Sequence, residues 1–75
     1  MPLNAEQYER LRPYLVEIKK TIEMNQTITA AQAPQPIIRS VLGELGFAPY
    51  GNCGGCVMMM YGDIYYLITE YEKMM

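Results

Sequence analysis

Apolar residues along the chain gather into three periodic blocks, separated by polar, proline-rich and glycine-rich stretches. In the first block Tyr8, Leu11, Leu15, Ile18 and Ile22 recur at alternating spacings of three and four. A helix brings all five onto one stripe, which faces a core or a coiled-coil-like seam. Asn4 supplies a side-chain oxygen ahead of the stripe, and Gln7 follows three residues later, the spacing of a capping box. The pattern predicts a helix over residues 4–24. Pro13 strains it, because proline lacks an N–H and clashes with the carbonyl four residues back. It lies opposite the apolar stripe, so a bend there curves the helix around the core. A helix that stops at Arg12 and restarts at Pro13 is the competing arrangement.

Residues 25–35 are polar, with Thr and Ala prominent, and run into Pro34 and Pro36. They read as a loop with a short turn beginning at Thr29. The second block, Ile37, Ile38, Val41, Leu42 and Leu45, predicts a short helix over residues 37–45, with Pro36 near its first turn and Gly46 as the C-terminal stop. Gly43 weakens this helix by about 1 kcal/mol relative to Ala and suggests a close approach of another helix. Phe47, Pro49 and Tyr50 then lead into a glycine-rich turn, residues 51–55.

The third block, residues 57–73, admits two forms. Cys53, Cys56, Val57, Met60, Ile64, Leu67, Ile68 and Tyr71 share one helical stripe. A hairpin turning at Gly62-Asp63 is the rival, since Val, Ile and Tyr favour strands. Strand alternation fails on both faces, which favours the helix. The expected fold is all-α: a single small three-helix domain spanning residues 1–75, with a Gly-rich CxxC turn before the third helix.

Length sharpens this picture. A 75-residue chain lies near the size at which one hydrophobic core barely suffices, so a metal, a crosslink or a partner is a reasonable expectation. A net charge of −2 with 51% apolar residues fits a globular protein and argues against nucleic acid as a partner. No apolar run reaches the roughly 18 residues of a membrane span, and the N-terminus has no signal-peptide pattern. A cytoplasmic location follows as the expectation. In that reducing setting a CxxC more often binds metal or does chemistry than acts as a permanent staple.

The candidate chemistry is Cys53-Gly54-Gly55-Cys56, which contains both cysteines of a chain without histidine. At the start of the third helix, unpaired N–H groups and the helix dipole favour an anion, so a thiolate forms more readily at Cys53 than in a free peptide. Metal ligation and thiol exchange both profit from this. A structural zinc site wants four nitrogen or sulfur ligands, and this chain supplies two thiols. Zinc shared between two chains, each giving Cys53 and Cys56, completes the set and resembles the inter-subunit zinc hook in those four residues. A redox role would use Cys53 as nucleophile and Cys56 as resolving thiol, although no strand precedes the motif as in thioredoxin-type enzymes. The leading reading is packing, with both cysteines as small buried hydrophobes.

Without histidine no Ser/His/Asp or Cys/His constellation exists, and Asp63, Glu70 and Glu72 are scattered, so no catalytic residue is assigned. Met58, Met59, Tyr61, Tyr65 and Tyr66 place more methionine and tyrosine on the third helix than one small core should bury. Such residues suit an interaction surface for a protein partner or for self-association. Arg12, Lys19 and Lys20 form a basic edge interleaved with Glu17 and Glu23, the composition of a solvated face.

The run from Asn4 to Tyr14, the Ile/Leu-rich middle helix, Asn52-Cys53-Gly54-Gly55-Cys56 and the terminal Ile64-Tyr65-Tyr66-Leu67 resemble, in order and spacing, small CxxC-bearing helical proteins of tailed phages of gut bacteria. That resemblance implies a phage accessory or virion-associated protein acting by binding and assembly, in the host cytoplasm or the virion. It implies no catalytic position. The expected function is a small non-enzymatic interaction and assembly module, with thiol–disulfide exchange as the alternative.

Overall fold

The first helix opens as its sequence predicts. Asn4 Oδ1 accepts a 2.7 Å hydrogen bond from the Gln7 N–H, and Gln7 Oε1 accepts one of 3.0 Å from the Asn4 N–H, so both arms of the capping box are made. The computed structural model describes residues 3–24, 34–47 and 49–75. Helix α1 runs Ala5–Leu11, a single 3-10 turn takes Arg12–Tyr14, and α2 continues over Leu15–Glu23. Pro13 falls in this tight turn, in which the Leu15 N–H donates to the Arg12 carbonyl; α1 ends with Arg12 as its C-cap, as in the competing arrangement, and the α-helix resumes at Leu15 instead of Pro13.

The tight turn shifts the phase of the helix, because it winds at 3.0 rather than 3.6 residues per turn. Tyr8, Leu11 and Ile18 are buried as expected, but Leu15 and Ile22 end half-buried and Thr21 takes an inward position. The Thr21 hydroxyl stays satisfied by donating to the Glu17 carbonyl at 2.8 Å. The loop and the Thr29 turn expected between the first two blocks fall mainly on residues 25–33, outside the described residues. The loop's last residue, Gln35, already belongs to a helix.

Helix α3 spans Gln35–Glu44, with Pro36 in its first turn. Its end is a Schellman motif: Gly46 takes φ 85°, the Phe47 N–H donates to the Leu42 carbonyl at 3.0 Å, and the Gly46 N–H donates to the Gly43 carbonyl at 3.1 Å. The left-handed backbone at this stop is why glycine stands there. Among the described residues Gly43 marks no close approach, because a Cβ built on it meets nothing within 4 Å.

Helix α4, Gly54–Lys73, is a 20-residue helix, and the hairpin at Gly62-Asp63 does not form. Val57, Met60, Tyr61, Ile64, Leu67 and Ile68 point inward at helical spacing and meet Ile18 from α2, Ile38, Val41 and Leu42 from α3, and Tyr8 and Leu11 from α1 in one cluster. The fold is therefore a small all-α arrangement in which α4 packs on both α2 and α3. Among the described residues, no helix is long and apolar enough to cross a membrane.

Polar ties hold the ends together. Arg10 donates to the Glu44 carboxylate, which also accepts from Gln7 Nε2 at 3.1 Å, joining α1 to α3. Tyr8 and Lys19 both donate to Glu72, joining α1 and α2 to the last turn of α4.

Candidate functional site

Cys53 is the N-cap of α4. Its backbone is extended at φ −72° and ψ 160°, and its Sγ accepts the Cys56 N–H at 3.2 Å. The two Cα atoms lie 5.2 Å apart and the side chains are paired as a disulfide. Cys53 is exposed and Cys56 half-buried. The reading of both cysteines as buried packing residues is thus overturned. The inward stripe of α4 begins only at Val57, and the N-cap stands outside the helical phase that would carry Cys53 into the core.

Arg39, one turn inside α3, holds the CxxC turn in place. Its Nη1 donates to the Tyr50 carbonyl at 2.8 Å, while Nη2 donates to the Gly51 carbonyl and to Asn52 Oδ1, each at 3.1 Å. A bend of irregular backbone needs such donors for its carbonyls. Behind it, a Cβ on Gly51 would lie 3.1 Å from Cys56 Sγ, so the close contact there suits glycine. Tyr50 is tethered at both ends, since its hydroxyl donates to Asp63 on α4. Burial, and then that carboxylate, push the Tyr50 phenol up to about 12. Arg39, Leu42, Gly43, Phe47, Pro49 and Tyr50 line a groove of about 240 Å³ against the wall of the turn. Sequence reasoning missed Arg39 and this groove; the one available signal was a lone arginine in a short apolar helix.

The outer face of α4 is narrower than the sequence suggests. Met59 and Tyr66 are exposed at 65% and 62%, whereas Met58 and Tyr65 are half-buried. Tyr65 also leans toward α2, where its hydroxyl donates to Glu23 at 2.7 Å. Tyr61 does not belong to the surface: it is fully buried, because it follows Met60 and precedes Ile64 by three, the spacing of the inward stripe. Burial, with the Glu17 charge as a lesser cause, pushes its phenol up to about 12.

The donor set limits a metal. Among the described residues no group of three or more Cys, Asp, Glu or His is placed to hold an ion, and in the disulfide state the two Sγ atoms bind each other. A zinc site would need the reduced Cys53 and Cys56 of two chains. The basic edge is partly neutralised, with Arg12 paired to Glu9 at 2.7 Å and Lys19 to Glu72 at 2.9 Å. No family model, curated protein or solved structure matches the chain.

Proposed function

We propose that this chain is a small non-enzymatic interaction module that self-associates through the outer face of α4, with the CxxC turn fixing the head of that helix. The observation that carries this reading is the seam Met59, Gly62 and Tyr66. Both large side chains are exposed, and a Cβ at Gly62 would meet nothing within 4 Å. The spacing i, i+3, i+7 is that of a coiled-coil seam, and glycine at its centre lets two backbones approach. Two copies crossing antiparallel at Gly62 set each Met59 against the other's Tyr66, a favourable sulfur–aromatic contact. Assembly in a virion or a host cytoplasm is the setting that the sequence resemblance to small phage proteins implies for such a module.

Gly62→Cys in a Cys53→Ser/Cys56→Ser background tests this geometry. Mild oxidation is expected to crosslink that variant into a dimer, while Val16→Cys in the same background, at a more exposed position on α2, stays monomeric. Equal crosslinking at both positions contradicts the seam.

The exposure of Cys53 at a helix N-cap favours a second reading, dithiol–disulfide exchange with Cys53 as nucleophile and Cys56 as resolving thiol. Reduction of a protein disulfide by the reduced chain, lost in Cys53→Ser, supports it; a rate equal to that of free dithiol retires it. Zinc shared by the reduced pairs of two chains is the remaining proposal for the motif. It predicts a reduced dimer with one zinc that separates on chelation, and a dimer indifferent to chelator removes it.

A further inference from the structure

We infer that the groove beside the CxxC turn is the substrate subsite of a dithiol–disulfide exchange centre, and that it seats an apolar side chain next to a cysteine of a partner polypeptide. The inference rests on the dithiol reading above and adds to it a substrate class and the residues that select it.

Three observations converge on this placement. The groove is walled by Leu42, Phe47, Pro49 and Tyr50, a lining that takes an apolar group. Tyr50 stands three residues before the exposed Cys53, and at Gly51, between them, an added Cβ would lie 3.1 Å from Cys56 Sγ, so the groove wall runs up to the cysteine pair. Arg39 lines the groove and at the same time donates hydrogen bonds to Tyr50, Gly51 and Asn52, so one side chain ties the groove to the reactive turn. The groove thus adjoins, through Tyr50 and Arg39, the turn that presents Cys53, and the subsite takes the side chain next to a partner's cysteine.

The exchange balances without an outside oxidant. In the reduced chain the Cys53 thiolate attacks one sulfur of the partner's disulfide; that S–S bond breaks, its other sulfur leaves as a thiolate, and a mixed disulfide to Cys53 remains. The Cys56 thiolate then attacks Cys53 Sγ, closing Cys53–Cys56 and releasing the partner's second thiolate. Two electrons pass from the chain to the partner. The N–H groups at the head of α4 stabilise the Cys53 thiolate in both directions.

The test uses the reduced Cys56→Ser chain, which stops at the mixed disulfide, and two short peptides activated as aryl disulfides at their single cysteine, one with Leu beside it and one with Ser. The Leu peptide is expected to react about tenfold faster, the effect of burying one modest apolar side chain. Gly43→Leu is expected to abolish that preference by filling the groove. Its side chain enters open space on an exposed helical position and improves helix propensity, and circular dichroism checks that the fold is kept. Equal rates for the two peptides, or a preference that survives Gly43→Leu, overturn the subsite and leave the exchange reading standing. Rates for both peptides no faster than with free cysteine overturn the exchange reading and the subsite with it.

Discussion

Tyr8 and Glu72 are separated by 64 positions, yet the phenol donates a 2.7 Å hydrogen bond to the carboxylate and closes α1 onto the last turn of α4. Lys19 donates to both oxygens of the same carboxylate, at 2.9 and 3.2 Å, and the Tyr8 ring stacks on Tyr71 with centroids 4.6 Å apart. One glutamate thus anchors two helices to a third. A charge-assisted hydrogen bond of this kind contributes more than a neutral one.

Tyr8→Phe keeps the ring and its stacking but leaves Glu72 with one donor fewer. The expected loss is about 1–2 kcal/mol of unfolding free energy. It is read as a lower urea midpoint at unchanged slope, and a midpoint equal to that of the native chain contradicts the anchoring role.

These ties, together with the Arg10–Glu44 pair, make stability depend on pH. Hydrogen bonds from Tyr8 and then Lys19 hold Glu72 below its usual carboxylate value of 4.5, and Arg10 and then Gln7 do the same for Glu44. A depressed folded-state value means that the stabilisation is present above 4.5 and lost as pH falls below it through the folded value. The Tyr8 phenol is pushed from 10.0 up to about 12 by its bond to Glu72 and by burial. Its contribution is complete below pH 10.0 and lost as pH rises toward about 12. Denaturant midpoints measured across pH should fall at both ends, and Tyr8→Phe should flatten the alkaline fall.

Arg39→Ala removes the donors of three loop acceptors, and Gly51→Ala crowds Cys56 Sγ from behind. Both changes are expected to speed amide exchange at residues 50–53 and to quicken reduction of the Cys53–Cys56 pair by dithiothreitol, several-fold for Arg39→Ala. Unchanged exchange in Arg39→Ala would show that the turn holds itself.

Gly46→Ala places a Cβ on left-handed backbone at φ 85°. The expected cost is about 1 kcal/mol, read in thermal or urea unfolding. The space around Gly46 is open, so the loss comes from backbone strain and not from collision.

Much of the fold is legible in the chain because its signals are local. The Asn4–Gln7 box, the Gly46 stop and the 57–68 stripe each state an element within a few residues. Tyr61 escaped because tyrosine content suggests surface, while its phase, set by Met60 and Ile64, puts it in the core. Leu15 and Thr21 exchanged roles because a 3-10 turn at Pro13 rotates α2 relative to α1. The cysteines were legible as the head of α4 but not as exposed, since exposure depends on where the inward stripe begins. Arg39 was hidden because its partners lie 11 to 13 positions away and are mostly backbone carbonyls, which leave no mark in sequence.

Self-association through the outer face of α4 can be measured by sedimentation equilibrium of the native chain beside Met59→Lys/Tyr66→Lys, both kept under reducing conditions with chelator. A dimer is expected for the native chain and a folded monomer for the double variant, whose changes lie at exposed positions. A native chain that stays monomeric at every concentration, or a double variant that dimerises as tightly as the native chain, would contradict it.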